Sequence, residues 1–183
     1  GGVRARGELV RRNGFVEMRD PRIRADDAYL PSLRVRALDI ETDGPDGPVL
    51  SVAWAGDGTE LVLMRGEGPP TPAVEYHPDE RALLRALVER VADDDPDVIV
   101  GWNVVEFDLA SLERRCEACR VPFALGRAGE RAAVLPPQRD GGPAVARVPG
   151  RVVLDGIATM RAATWTFESW RLGDVARELL GRG

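Results

Sequence analysis

Two β-prone runs at the start of the chain predict a hairpin. The extended-looking segments 3–10 and 15–19 are separated by residues that include Asn13-Gly14. Asn-Gly between β-prone segments is a strong hairpin signal. The next residues contain Pro21 and Pro31, which predict a connector. Residues 1–31 are therefore expected to be a β-hairpin and connector left from a neighbouring domain.

A regular pattern begins at Leu33. Apolar residues alternate with polar ones towards Ile40 and predict a strand, and the runs 49–55 and 60–64 predict two more strands around Gly-rich turns. Three consecutive strands with short connections predict an antiparallel meander. The Gly- and Pro-rich residues 65–78 predict a loop.

Helical and strand patterns alternate along the rest of the chain. A first helix is indicated after Asp79 by apolar residues at i, i+3, i+4 and i+7, namely Leu84, Leu87, Val88 and Val91. A buried strand at 98–100, a helix from about Glu106 to Arg120, an irregular stretch at 123–150, a strand at 152–154 and a last helix with an apolar stripe within 172–180 follow. This order predicts an α/β fold with a mixed sheet flanked by helices, which suits a ribonuclease H-like fold among other α/β layouts.

Composition narrows the possible classes of protein. A chain of 183 residues with 44% apolar residues can form a domain with a real core. Its net charge of -5 does not favour a protein that coats DNA passively, but it permits an enzyme that binds nucleic acid through metal ions. His77 is the only histidine, which excludes chemistry that needs two. Without an apolar run of about 20 residues, we expect a cytoplasmic protein that does not enter a membrane.

Asp39 and Glu41 are the first candidate functional residues. They lie two residues apart at the end of the first predicted core strand, so both side chains are expected on one face. Crowded carboxylates repel each other unless a cation joins them. Taken alone, however, Asp-x-Glu is common, and a solvated strand end explains it better.

Asp108 shifts the balance towards a metal site. The buried strand at 98–100 leads into a helix, and Asp108 falls in its predicted first turn, where a negative charge is favoured. If that strand lies near the strand ending at Asp39, three carboxylates converge at one edge of the sheet. Carboxylate oxygens, completed by water and substrate phosphate, are the ligands that Mg²⁺ and Mn²⁺ prefer.

Four segments resemble the exonuclease domain of family B DNA polymerases. Leu38–Thr42 resembles the first exonuclease motif, and Asp97–Leu109 resembles the second. Gly150–Ile157 and Val175–Gly181 are similar to the stretch that precedes the third motif. The resemblance covers Pro31–Gly183 and is closest to the polymerase II group of bacteria.

The resemblance implies a ribonuclease H-like 3′→5′ proofreading exonuclease over residues 32–183, with residues 1–31 a remnant of the polymerase N-terminal domain. Such an enzyme uses two divalent metal ions, Mg²⁺ or Mn²⁺, to hydrolyse the 3′-terminal phosphodiester of DNA and release nucleoside monophosphates. By the same resemblance Asp39, Glu41 and Asp108 are the catalytic metal ligands. Asp39 would bridge both ions, Glu41 would hold the water-activating ion, and Asp108 would hold the other.

The resemblance also implies the partners of the domain. These are a single-stranded or frayed 3′ primer end of DNA and the rest of the same polymerase chain. Thr42, Asn103 and Phe107 match positions that contact the DNA, and an aromatic side chain can stack on bases. A position in the protein core explains Phe107 equally well. Asp155 is a carboxylate of the right type, but its match lies outside the metal set, so a structural role is expected.

The family's fourth acidic residue belongs to a Tyr-x-x-x-Asp motif that this sequence lacks. Tyr29 is followed four residues later by Leu33, and Tyr76 by Glu80. We therefore expect a chain truncated before its third motif and weakly active or inactive by itself. Two alternatives stay open, a non-catalytic ribonuclease H-like scaffold module and a free-standing exonuclease of the same superfamily.

Two further features carry structural expectations. Cys116 and Cys119 form Cys-x-x-Cys within a predicted helix, but structural zinc needs two more ligands, so packing in the interior is expected. His77, beside Pro78, is expected to help start the first helix.

Overall fold

The protein forms two compact units, Gly1–Leu33 and Arg34–Gly183. A computed structural model describes residues 2–12, 15–69, 71–137 and 142–181. None of the helices in these ranges is both long and apolar enough to cross a membrane.

The first unit is an antiparallel pair of strands, β1 (Gly2–Arg12) and β2 (Phe15–Asp26). The predicted hairpin is confirmed, while its Asn13-Gly14 turn lies outside the described residues. The predicted break at Pro21 is wrong, because β2 continues past it. The pairing shifts between Arg6 and Glu8, where Asp20 and Pro21 of β2 lie opposite the single residue Gly7 of β1, so β2 has one extra residue and forms a bulge. Proline cannot donate to a strand ladder, and a bulge is where a strand tolerates it.

The described residues of the second unit form eight strands. They are β3 (Val35–Thr42), β4 (Val49–Gly56), β5 (Thr59–Arg65), β6 (Val74–His77), β7 (Val98–Gly101), β8 (Ala133–Leu135), β9 (Val145–Arg147) and β10 (Val152–Asp155). Six of them form one sheet in the order β10-β7-β3-β4-β5-β6, and β8 and β9 form a separate pair. The meander β3-β4-β5 is antiparallel, as predicted. On the other side of β3, the strands β7 and β10 run parallel to it and to each other.

Helices flank this sheet. They are α1 (Glu80–Asp94), α2 (Ala110–Ala118), α3 (Gly156–Ala162) and α4 (Leu172–Leu180), and a π-helical turn at Val104–Leu109 leads into α2. Asp79 caps α1, because its side chain accepts a hydrogen bond of 2.7 Å from the N–H of Ala82. The α/β fold with a mixed sheet is therefore the one that the sequence predicts, in the ribonuclease H-like strand order.

Several short elements were not predicted. The loop expected at 65–78 contains β6, which pairs in parallel with β5, and it places His77 in that strand instead of at the start of α1. The irregular stretch at 123–150 contains a 3₁₀ turn at Arg127–Gly129 and the β8-β9 pair, and α3 follows β10 directly. Elements of three to seven residues are too short to show periodicity, and the strands among them are held in place by partners distant in sequence.

The main core lies between one face of the sheet and helices α1 and α2. In β3 the buried residues Leu38 and Ile40 alternate with exposed ones, which leaves the opposite face of the strand open. The fully buried side chains that fill this core include Val52, Trp54, Leu63, Leu83, Leu84, Leu87, Ile99 and Leu112. Burial of one face by these apolar side chains sets which side of β3 faces the solvent.

Glu80 ties three elements of this core together. Its Oε1 accepts hydrogen bonds of 2.8 Å from the N–H of Val49 and from Nε of Arg115, and its Oε2 accepts one of 2.6 Å from Nη2 of Arg115. Burial of the carboxylate raises the pKa of Glu80, but the hydrogen bonds from Arg115 and Val49 outweigh it and leave this pKa below its usual value. The carboxylate of Glu80 therefore joins the start of β4, the start of α1 and the end of α2.

We predict that Glu80→Ala lowers the free energy of unfolding by about 3 kcal/mol at pH 7, because it leaves the Arg115 guanidinium without its partner. The matched control is Glu75→Ala, which breaks the exposed Glu75–Arg90 pair of 2.7 Å and should cost less than about 1 kcal/mol. Urea unfolding measures both. A carboxyl group whose pKa is lowered by folding stabilises above its unfolded pKa of about 4.3, so the stability difference between wild type and Glu80→Gln should shrink below about pH 4. Equal losses in the two alanine variants would contradict the role of Glu80.

Candidate active site

Asp39 and Glu41 lie on the open face of β3. The side chains of both are exposed, whereas Leu38 and Ile40 between and beside them are buried. The prediction that the two carboxylates share a face is therefore confirmed. The position is central, because β3 has β4 on one side and β7 on the other.

The strand β7 ends where the candidate site begins. It pairs with β3 from Val98 to Val100 and ends at Gly101, where an added Cβ would lie 2.7 Å from the carbonyl oxygen of Leu38 and 2.7 Å from Cβ of Val104. Only glycine fits such a close approach without moving its neighbours. The chain then turns sharply, and β3 continues alone on this side as far as Thr42.

Asp108 enters this space from the π-helical turn. Asn103 precedes the turn with a left-handed φ of 60°. Asp108 is only 1% exposed, and its Oδ1 accepts a hydrogen bond of 2.9 Å from the N–H of Ile40 in β3. The sequence placed Asp108 in the first turn of a helix starting near Glu106, but the helical segment begins at Val104 and Asp108 is its fifth residue. The π-helical turn is wider than an α-helical one, and it depends on how its apolar residues pack in the core. The periodicity of the sequence contains no information on this packing.

The carboxylates of the site influence one another. Burial, followed by the neighbouring charge of Asp39, raises the pKa of Asp108 to about 7. Partial burial and the charge of Glu41 raise the pKa of Asp39. Asp39 therefore lies close enough to both of the other predicted ligands to interact with them electrostatically.

Asp155 is a fourth carboxylate at the same end of the sheet. It ends β10, where it pairs with Gly101, and it is 7% exposed. Its Oδ2 accepts a hydrogen bond of 3.1 Å from the N–H of Val105, and its Oδ1 caps α3 by accepting bonds from the N–H groups of Ile157 (2.9 Å) and Ala158 (3.2 Å). Its negative charge also contributes to the raised pKa of Asp108. Asp155 thus holds the first residues of the π-helical turn against β10.

The carboxylates at this end of the sheet lack cationic partners in the part of the chain that the structure describes. Three carboxylates are buried in the part of the chain that the structure describes: Glu80, Asp108 and Asp155. Glu80 is paired with Arg115, whereas neither Asp108 nor Asp155 forms an ion pair within the described residues, and the same is true of Asp39 and Glu41. A buried carboxylate without a positive partner is costly, so this end of the sheet favours a bound cation.

The carboxylate oxygens of this site suit a hard divalent ion, although they do not form a complete coordination shell. Within the described residues, no group of three or more His, Cys, Asp or Glu side chains is arranged to hold a metal directly. Mg²⁺ is usually bound through one or two carboxylates, with water and substrate phosphates completing its shell. Asp39 with Glu41 or Asp108 meets that requirement in oxygen chemistry and in charge.

The three predicted DNA contacts lie around these carboxylates. Thr42 directly follows Glu41, and its hydroxyl donates a 2.8 Å hydrogen bond to the carbonyl of Gly44. Phe107 is 36% exposed and is not part of the buried core cluster. Asn103 lines a cavity of about 790 Å³ together with Asp155 and Arg161.

Arg161 is a residue of this cavity that sequence reasoning missed. Its guanidinium lies 4.7 Å from the ring centroid of Trp170, and the Trp170 carbonyl accepts a 2.8 Å hydrogen bond from Nε1 of Trp102. No pattern in the sequence marks Arg161, because its position depends on α3 and on this aromatic contact.

The two cysteines are packing residues, as predicted. Cys116 is buried in the core, and burial raises the pKa of its thiol to about 12. The Sγ of Cys119 donates a 3.4 Å hydrogen bond to Oε2 of Glu80. Thiols held in the protonated form are poor zinc ligands and poor nucleophiles.

Comparison with known proteins gives consistent matches. Residues 16–175 match the family model described as "DNA polymerase family B, exonuclease domain". The chain is 35% identical over 167 residues to DNA polymerase II of Escherichia coli (strain K12), covering 88% of this chain and 21% of that protein. It is 31% identical over 147 residues to a DNA polymerase of Thermococcus sp. (strain 9oN-7), covering 75% of this chain and 18% of that protein.

A solved structure matches in three dimensions as well. It is the family B DNA polymerase from the hyperthermophilic archaeon Pyrobaculum calidifontis, with a TM-score of 0.68 and 26% identity, over 95% of this chain and 22% of that chain. The chain thus spans about a fifth of the length of these relatives.

We predict that removing the charge of Asp108 stabilises the metal-free protein at alkaline pH. The pKa of Asp108 rises from about 3.9 in the unfolded chain to about 7 in the folded protein, so the folded state binds this proton more tightly. Stability is therefore lost as the pH rises from about 4 through about 7. Urea unfolding with a chelator measures this effect. From pH 5 to pH 8, the free energy of unfolding of wild type should fall on the order of 3 kcal/mol further than that of Asp108→Asn. The control Glu117→Gln, at an exposed position of α2, should follow wild type. Parallel curves for wild type and Asp108→Asn would contradict the buried charge.

Proposed function

The chain belongs to the family of exonuclease domains of family B DNA polymerases, and from that membership we propose that it is a metal-dependent 3′→5′ proofreading exonuclease domain of a polymerase II-like enzyme. Its reaction would be hydrolysis of the 3′-terminal phosphodiester of DNA, with release of a nucleoside monophosphate. The observation that carries the proposal is the group of carboxylates, at the carboxyl ends of β3 and β10 and in the π-helical turn, that form no ion pair with any residue the structure describes.

The proposed metal ligands are Asp39, Glu41 and Asp108. Divalent ions held there would activate a water molecule and stabilise the departing 3′ oxygen. Asp39 is the central residue of the three. Its charge raises the pKa of Asp108, and the charge of Glu41 raises the pKa of Asp39. The exposure of Asp39 and Glu41 leaves their oxygens accessible to a cation and to a phosphate that approaches with it.

The rest of the site holds Asp108 in place. The N–H of Ile40 orients Oδ1 of Asp108, and Asp155 holds the N–H of Val105 three residues earlier. Both anchors belong to strands of the same sheet, so the π-helical turn is attached to β3 and to β10. A preorganised carboxylate needs little rearrangement when the substrate binds, which is the main way in which electrostatic catalysis lowers a barrier.

The proposed contacts to DNA flank the carboxylates. Phe107, adjacent to Asp108, presents a partly exposed ring on which a terminal base can stack. Thr42 follows Glu41 on β3, and Asn103 opens the cavity of about 790 Å³ beside Asp155. The DNA partner would be a single-stranded or frayed 3′ end, because a terminal nucleotide must separate from its complement to reach carboxylates on an open strand face.

The first test of this function is metal binding. We predict that Mn²⁺ binds to the protein in titration calorimetry and that Asp39→Ala weakens the affinity at least about 10-fold, since it removes the carboxylate shared between the other two. The control Glu117→Ala removes an exposed carboxylate from α2 and should leave the affinity unchanged. Equal affinity in wild type and Asp39→Ala would exclude Asp39 as a ligand.

The second test is the polarity of cleavage. With Mn²⁺ and protein in excess over a 5′-labelled single-stranded oligonucleotide, we expect a ladder of labelled products shortened from the 3′ end. Turnover should be slow, because this sequence lacks the Tyr-x-x-x-Asp pair. Asp39→Ala should reduce the rate by about 10²-fold, as expected when the reacting groups are misplaced, and Glu117→Ala should not. A labelled mononucleotide as the first product would contradict the 3′→5′ direction, and undiminished cleavage by Asp39→Ala would place the chemistry elsewhere.

A further inference from the structure

The hairpin unit carries a cluster of arginines on one face. The register of β1 and β2 places Arg4 opposite Arg24 and Arg6 opposite Arg22, so the four side chains project from the same side of the ribbon. All four residues are exposed, and with Ala25 and Asp26 they line a concave surface of about 480 Å³. We call the surface formed by Arg4, Arg6, Arg22 and Arg24 the arginine face.

Most of this positive charge has no acidic partner among the residues that the structure describes. Asp26 accepts hydrogen bonds from Nε (3.1 Å) and Nη2 (2.9 Å) of Arg4. Among the described residues, Arg6, Arg22 and Arg24 have no acidic partner. Like charges directly opposite each other in an antiparallel pair destabilise it. An anion bound across the two strands would remove that cost.

The arrangement suits a polymer of phosphates. The backbone positions of arginines two residues apart on a strand are about 6.6 Å apart, and neighbouring strands are about 4.8 Å apart, so the four side chains leave the ribbon at regularly spaced points. Each guanidinium can donate two parallel hydrogen bonds to the oxygens of one phosphate. General basicity does not explain the cluster, because the chain has a net charge of -5, whereas residues 1–33 contain seven Arg and only five Asp and Glu.

We propose that the arginine face binds the phosphodiester backbone of DNA. This inference goes beyond the proposed function, because it requires neither a metal ion nor hydrolysis and uses none of the carboxylates of the second unit. It gives the hairpin unit a role in holding the DNA, independent of the exonuclease chemistry.

The test measures DNA binding by fluorescence anisotropy of labelled oligothymidylate and of a labelled duplex of equal length. It uses the full chain with a chelator present, so that binding through metal ions at the carboxylates does not contribute. Arg6→Gln/Arg22→Gln/Arg24→Gln should lower the affinity for single-stranded DNA at least about 10-fold at low salt. Because each phosphate contact contributes roughly 0.7 to the slope of log affinity against log salt, the slope should flatten by about 2. Arg4 is kept to preserve its pair with Asp26.

The matched control is Arg81→Gln/Arg85→Gln/Arg120→Gln, which removes the same charge from exposed positions of the second unit. It should retain most of the affinity, and an equal loss would show that only net charge matters and overturn the proposal. Arg6→Lys/Arg22→Lys/Arg24→Lys keeps the charge and should keep the slope, which guards against misfolding of the Gln variant. A flattened slope in the Lys variant would also overturn the proposal.

Two further arms identify the ligand. Tighter binding of the single strand or of the duplex identifies which form of DNA supplies the backbone, and binding of neither overturns the proposal. Polyglutamate at equal charge concentration should displace DNA poorly, because it has no phosphates for the guanidinium forks. Efficient displacement would instead identify the arginine face as a docking surface for acidic polypeptides, and it would overturn the DNA assignment.

Discussion

The candidate site depends on the difference in length between two neighbouring strands. The strand β7 stops at Gly101, whereas β3 continues to Thr42, so no strand of the described residues pairs with Ile40 on that side. A backbone donor inside a protein requires an acceptor, and Oδ1 of Asp108 provides it. This hydrogen bond brings a buried carboxylate beside Asp39 and Glu41. The core beneath β3 keeps those two on the open face, and the gap beyond β7 gives Asp108 its place.

The two ends of the parallel strands differ in whether their acidic residues have arginine partners. At the amino ends, arginines satisfy the acidic segment 94–97: Arg36 pairs with Asp94 at 2.7 Å, Arg127 pairs with Asp97 at 2.7 Å, and Arg151 pairs with Asp95 at 2.8 Å. Nε1 of Trp54 also donates a 2.7 Å hydrogen bond to Asp94. At the carboxyl ends, Asp108 and Asp155 have backbone donors but no arginine within the described residues. In open α/β sheets, ligands bind outside the carboxyl ends of the strands. In this sheet, that is the end where Asp108 and Asp155 keep their negative charge without an arginine among the described residues.

This division has an energetic consequence. The arginine pairs hold the pKa values of Asp94, Asp95 and Asp97 below their usual range and so stabilise the folded state at neutral pH. The site has the opposite effect, because the pKa of Asp108 is raised and its charge opposes folding. A protein that keeps an unfavourable charge at a site must be stabilised elsewhere. The Glu80–Arg115 link and the apolar core between the sheet and α1 and α2 provide that stability.

The sequence by itself determined the hairpin, the meander, the first helix and the shared face of Asp39 and Glu41, because alternation and helical periodicity are local properties of the chain. Family resemblance pointed to Asp108 as well. Only the tertiary structure decided β6, the β8-β9 pair and the two hydrogen bonds that hold the π-helical turn, from the N–H of Ile40 to Asp108 and from the N–H of Val105 to Asp155, since each depends on a partner distant in sequence. The same holds for the pKa of Asp108 and for the arginine face. Burial, the approach of Asp39 and the cross-strand register arise from packing and pairing, and a pattern along one chain does not contain them.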